Sequence, residues 1–190
     1  MAKFFIILLL WVPHPSCLQI DIMLLADMSG SVQGQEQFVK AALYTFANQF
    51  DLSEDNVKIG VVTFDSDATL WCPLTADKNK LLAVIGQINN ASGGSNMTAG
   101  LAEASDQLLH YGRPYYNKLI IIISDGGIWD IPATTGFSDI LTRGGIRTCG
   151  VLIEDQDTDS QTMETICHGC YERSSYRNLS NELKKLDICF

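Results

Sequence analysis

The sequence predicts an α/β domain: a doubly wound, mainly parallel six-stranded sheet with one antiparallel edge strand and helices on both faces. Two observations carry this. Strand-sized apolar runs alternate with helix-sized amphipathic stretches, the pattern of a parallel sheet covered on both sides. A single predicted pair of strands, joined by Asp65-Ser66-Asp67, has the spacing of a hairpin, and one hairpin adds an antiparallel edge.

Taken in order, Ile20 to Ala26 is a short apolar run of the kind that forms a buried strand. It runs into Asp27-Met28-Ser29-Gly30-Ser31, where the glycine marks a turn. Gln35 to Phe50 carries Phe38, Ala41, Ala42, Thr45, Phe46 and Phe50 at helical spacing, and Asp51 to Asn56 is a polar break. Val57 to Phe64 reads as the second strand and Ala68 to Trp71 as a short edge strand after the hairpin turn. Lys78 to Ile88 and Ala99 to Leu109 are helical patterns, separated by the Gly- and hydroxyl-rich loop Ser92 to Thr98. Lys118 to Ser124 is the strongest buried-strand signal and ends in Asp125-Gly126-Gly127. A helix around Thr135 to Arg143 and the strand Ile146 to Ile153 follow. The chain closes with helices at Ser160 to Cys167 and Asn178 to Leu186, and a short strand near Tyr171 between them.

Three oxygen-rich segments thus stand at strand or loop ends. Asp27 with Ser29 and Ser31, the Ser95 loop, and Asp125 are hard donors that suit Mg²⁺, Ca²⁺ or Mn²⁺ better than softer metals. In an open parallel sheet, ligands bind outside the carboxyl ends of strands where the strand order reverses. Two aspartates there repel each other unless a cation lies between them. Asp, Ser and Gly also favour plain turns and helix caps, so the first pentapeptide by itself is a weak signal.

Asp27-x-Ser29-x-Ser31, the Gly93-Gly94-Ser95-Asn96 loop and Ser124-Asp125-Gly126 together resemble the metal-ion-dependent adhesion site of von Willebrand factor type A domains. The resemblance runs from Gln19 to Leu186 and implies their Rossmann-like fold. It implies a divalent metal, Mg²⁺ (or Mn²⁺ or Ca²⁺), held by Asp27, Ser29, Ser31, Ser95 and Asp125. The family loop commonly reads Gly-Gly-Thr-Asn-Thr; its ligating threonine falls on Ser95, with Thr98 an alternative hydroxyl. The implied act is binding: an Asp or Glu side chain of a protein partner completes the metal's shell. Ile128, Trp129, Asp130 and Ile131 border that surface, with Trp129 and Asp130 the candidate partner contacts, the alternative for Trp129 being to pack under its own loop. A matrix protein, a cell-surface protein or a second copy of the chain meets the description. The alternatives are a domain of the same family that binds through a metal-independent surface and, more remotely, a metal-dependent hydrolase.

Charge and composition exclude some classes. A net charge of −9 offers no basic cluster for a nucleic-acid backbone and disfavours anionic lipid. A nucleophilic Ser29 would need a base, yet outside the leader the chain has only His110 and His168, neither at the carboxyl end of a central strand. A phosphatase built on Asp27 would want an acid where Ser29 stands. The chain is therefore read as a binding module and not an enzyme.

Phe4 to Val12 is an apolar run behind Lys3, ended by Pro13-His14-Pro15, the layout of a secretory signal peptide. We assign residues 1–17 to it, the cleavage point left open, and 18–190 to one domain. No second apolar stretch of membrane-spanning length follows. Six cysteines suit an oxidising compartment, and so a secreted, extracellular protein. A bridge between Cys17 and Cys189 resembles the terminal clasp of several family members. Cys149, inside an apolar strand, reads as a buried free thiol. Cys167-His168-Gly169-Cys170 has redox or metal spacing but follows a helix instead of opening one, so the usual thiol activation is missing. Sequons at Asn90, Asn96 and Asn178 are candidate glycan acceptors, with Asn96 expected to stay unmodified because a glycan there would crowd the metal loop.

Overall fold

The structure, a computed structural model, describes residues 19–154, 160–186 and 188. The leader at 1–17 and the Cys17–Cys189 pair lie outside the described residues. Six strands form one sheet: β1 (Ile20–Asp27), β2 (Val57–Phe64), β3 (Ala68–Thr75), β4 (Asn117–Ser124), β5 (Ile146–Ile153) and β6 (Tyr171–Ser174). Their spatial order is β3-β2-β1-β4-β5-β6, all neighbours parallel except the β2–β3 pair. The chain winds outward from β1 in one direction and from β4 in the other. The order therefore reverses between these two strands, and their carboxyl ends flank the crevice.

Both central strands are buried on two faces, which is why they read as unbroken apolar runs. Alternate residues serve two cores. Ile22, Leu24 and Ala26 of β1 pack with α1 (Glu36–Ala47) and α2 (Lys78–Gln87), and with Leu179 and Leu183 near the C-terminus. Met23 and Leu25 face the other way, into a core shared with α3 (Met97–His110), α4 (Ile131–Arg143) and α5 (Ser160–Ile166). Among the described residues no helix is long and apolar enough to cross a membrane.

Several boundaries shift for local reasons. Helix α3 begins at Met97, two residues early, because Asn96 caps it by accepting the Ala99 amide at 3.1 Å. Helix α4 begins at Ile131, well before Thr135: Asp130 accepts the Ala133 amide at 2.9 Å, and Pro132 suits a first turn. Strand β3 runs on to Thr75 through Cys72-Pro73. A proline is tolerated there because β3 is an edge strand. The closing helix at 178–186 is instead a broken segment, with 3₁₀ turns at Tyr176–Asn178 and Leu183–Lys185 around α6 (Leu179–Glu182).

At the amino end of β1 the buried Asp21 is held by Arg113. The arginine donates through its backbone amide (2.6 Å), Nε (2.9 Å) and Nη2 (2.6 Å). It also reaches the carbonyls of Ile20, Glu54 and Asn56, and its guanidinium lies 3.8 Å from the Tyr116 ring centre. This buried charge is thus paired and fully hydrogen-bonded, the condition under which burial is tolerated.

One cysteine expectation is corrected. Cys149 is not a free thiol; it is bonded to Cys170, joining β5 to the start of β6. That bond also removes Cys170 from any redox pair with Cys167. Cys167 is buried and free, its thiol pushed up to about 12 by burial, and Cys72 is likewise buried and free.

Candidate metal centre

The carboxylate of Asp27 stands at the end of β1, 1% exposed, and three groups hold it. The Ser29 amide donates to Oδ1 at 2.9 Å; the hydroxyl of Ser124 donates to Oδ2 at 2.8 Å, and that of Ser95 at 3.4 Å. Ser29 and Ser31 are hydroxyl to hydroxyl at 3.0 Å. Asp125 follows β4, buried, its Oδ1 accepting the Gly127 amide at 3.2 Å. Register explains the convergence. Ala26 of β1 lies beside Ile123 of β4, so the residues that follow each meet at the sheet's carboxyl edge.

The loop carrying Ser95 is fastened on several sides. Ser92 donates its amide to the Met28 carbonyl, and Gly93 accepts from Gly30. The Gly94 amide reaches Ser66 Oγ at 2.9 Å, and the Asn96 amide reaches the Asp65 carbonyl at 2.6 Å. Trp129 donates its amide to the Ser95 carbonyl at 3.2 Å. Its indole fills the place of a Gly94 side chain, since a Cβ there would stand 1.4 Å from Cζ2. Position 94 therefore has no room for a side chain while the indole stays. Trp129 is nonetheless 64% exposed, an aromatic surface on the rim.

The other predicted residues divide. Asp27, Ser29, Ser31, Ser95 and Asp125 come together. Thr98 does not join them: its hydroxyl pairs with that of Thr134 at 2.8 Å, tying α3 to α4. Asp130 is exposed, but its Oδ1 serves as the cap of α4. Ser124 and Ser66 were not singled out from sequence, yet one orients Asp27 and the other anchors the Ser95 loop. Ser124 had a signal, standing directly before Asp125 in a strand-end motif. Ser66 had none beyond its turn.

Electrostatically the site is unbalanced. The Asp27 carboxyl is pushed up to about 6, chiefly because burial strips its water; the Asp125 charge adds to this, while hydrogen bonds from Ser29 and Ser124 oppose it. Among the described residues no Lys, Arg or His pairs with either aspartate. Nor do three His, Cys, Asp or Glu side chains converge anywhere among them, so a cation here would draw on the serine hydroxyls as well. A serine can donate its proton to a carboxylate and still offer lone pairs, so these bonds leave the donors usable. The set fits a hard divalent ion.

Both histidines among the described residues are remote. His110 ends α3 and pairs with Asp106, and His168 precedes β6 beside Ser138 and Asp139, at the opposite end of the sheet. Two clefts, of about 350 and 410 Å³, contain no residue of the site.

Comparison with known proteins gives three concordant results. Residues 21–186 match the von Willebrand factor type A domain family. Human vitrin is 30% identical over 119 residues, covering 60% of this chain and 18% of that protein; mouse vitrin is 29% identical over 125 residues, covering 62% and 19%. The chain thus spans less than a fifth of the length of these relatives. Among solved structures, manganese-loaded TRAP protein of Plasmodium vivax superposes with a TM-score of 0.74 at 22% identity, covering 92% of this chain and 75% of that one. Proximal thread matrix protein 1 from the mussel byssus, with a zinc-occupied MIDAS motif, gives 0.78 at 20% identity, covering 89% and 45%.

Proposed function

This chain belongs to the von Willebrand factor type A domain family, and from that premise we propose that it is a secreted, divalent-metal-dependent protein-binding module. Asp27, Ser29, Ser31, Ser95 and Asp125 would hold the ion. Bound there, a Mg²⁺ or Mn²⁺ supplies an electrophilic position for a partner's Asp or Glu carboxylate. The two aspartates balance the ion's charge, while the serines leave it unquenched. Ser124 keeps Asp27 in position, and Trp129 offers the partner an apolar surface beside the ion. The partner is a protein presenting an isolated carboxylate amid basic or apolar surface, because the acidic domain repels an acidic one.

One observation carries this reading: two buried carboxylates at adjacent strand ends without a basic partner among the described residues. An unpaired buried charge is expensive, and a cation would remove the expense. The manganese of TRAP and the zinc of the byssus protein lend support, as properties of those proteins.

Isothermal calorimetry with Mg²⁺ and Mn²⁺ tests the metal, comparing the wild type with Asp27→Ala. Heat in the first and none in the second is expected; equal heats sink the proposal. Capture of partners from extracellular fluid, with Mg²⁺ and then with chelator, tests the binding. Partners indifferent to the chelator would favour a metal-independent surface.

A further inference from the structure

We infer that the folded domain carries an N-linked glycan on Asn90, and on neither Asn96 nor Asn178. All three sequons match Asn-x-Ser/Thr, Asn90 and Asn178 with serine and Asn96 with threonine, and their structural settings differ. Asn96 has both ends of its amide engaged: Oδ1 caps α3 by accepting from Ala99 at 3.1 Å, and Nδ2 donates to the Ser66 carbonyl at 3.4 Å. Its amide nitrogen therefore faces the turn that anchors the Ser95 loop. Asn178 donates Nδ2 to Glu182 Oε1 at 2.6 Å and accepts from Asn181 at 2.9 Å, within the packed segment next to Leu179. A glycosylated amide keeps one N–H, so on either residue the sugar would share a nitrogen that already donates to local structure and crowd that contact.

Asn90 differs in its bonding, although Asn178 is exposed as well. Asn90 is exposed, and its φ of 62° marks a left-handed turn between α2 and α3. Its side chain makes no hydrogen bond among the described residues. The polar cleft of about 410 Å³ opens beside it, lined by Gly34, Glu36, Gln37, Lys40, Asn89 and Asn90. Its carboxylate, amide and ammonium groups are suited to hydrogen-bond the first sugars of a chain attached there. Neighbouring Ala91 is buried and Ser92 is tied to Met28, so the acceptor projects from a fixed base.

The chemistry needs a host transferase and a lipid diphosphate-linked oligosaccharide. Asn90 Nδ2 forms a bond to the anomeric carbon of the first sugar and gives up one proton. The bond from that carbon to the diphosphate oxygen breaks, and the lipid diphosphate leaves. The glycan then lies on the side of the metal rim next to α1, leaving a partner to approach from the Trp129 side.

The inference rests on passage through a glycosylating secretory route, which the experiment supplies. The full chain, fused behind a heterologous signal, is secreted from cultured mammalian cells, so the result does not depend on whether residues 1–17 direct export. Intact mass before and after peptide N-glycosidase, with digestion in ¹⁸O-water and peptide mapping, locates the sugar. We expect one occupied site, Asn90, with the mass shift abolished in Asn90→Gln and equally in Ser92→Ala, which keeps the asparagine. Label at Asn96 or Asn178, or secreted protein of unshifted mass, overturns the inference.

Discussion

Ser124 donates its hydroxyl to Asp27 Oδ2 at 2.8 Å, linking the ends of β1 and β4 across the point where the sheet reverses its winding. The bond fixes the orientation of a carboxylate whose other oxygen is already held by the Ser29 amide.

Removing that hydroxyl should weaken metal binding without abolishing it. Ser124→Ala leaves all five proposed ligands and frees Oδ2 to rotate. Loss of an outer hydrogen bond to a metal ligand typically costs about 10- to 100-fold in affinity. Calorimetry should find Ser124→Ala between the wild type and Asp27→Ala. An unchanged affinity would show that Ser124 does not position the ligand.

The metal-free domain should lose stability as pH rises. Asp27's carboxyl is pushed up to about 6 in the fold from an ordinary 3.8. Its stabilising contribution is therefore complete below 3.8 and is lost as pH rises through 6. Between pH 4 and 7 the loss is on the order of 2 kcal/mol. Urea unfolding in chelator between pH 4 and 7 should show wild type losing this amount relative to Asp27→Asn. Parallel curves for the two would contradict the assignment.

A methyl group at position 94 should evict the Trp129 indole. Gly94→Ala places a carbon 1.4 Å from Cζ2. Because the indole is already exposed, it can swing away, so the cost should stay near the low end of overpacking, about 1 kcal/mol. Acrylamide quenching of tryptophan emission should rise. In a Trp129→Ala background the same substitution should cost almost nothing; an equal cost in both backgrounds would mean that the two residues do not compete for space.

Joining β5 to the start of β6, the Cys149–Cys170 bond closes a segment with a sequence separation of 21. Replacing both cysteines with serine should lower stability by about 3 kcal/mol in the chain-entropy account. Cys72 and Cys167, both buried, should resist alkylation in the native protein and react on unfolding. Rapid native labelling of Cys167 would refute the burial that raises its thiol.

How far these features were legible from sequence depended on whether their causes were local. The central strands were legible because burial on both faces writes an unbroken apolar run, and their terminal aspartates stood out against it. The Asp130 cap was missed as a cap because the residue also borders the site, and the motif reading took precedence over the local one. Thr98 and Ser95 differ by three residues, and only the start of α3 decides which hydroxyl turns toward Asp27. The Cys149–Cys170 bond was out of reach. It follows from the register that sets Gly150 beside Tyr171, a pairing that β6 acquires only on docking against β5.

Strand β1 carries an aspartate near each end, and the chain has treated them in opposite ways. Asp21 received its own counter-charge in Arg113, complete with donors for both oxygens. Asp27, six positions on, received hydroxyls and an amide but no cation from its own chain. A fold that finishes one end of the strand by itself leaves the other without a basic partner, and on the proposed reading an ion from outside the chain completes it.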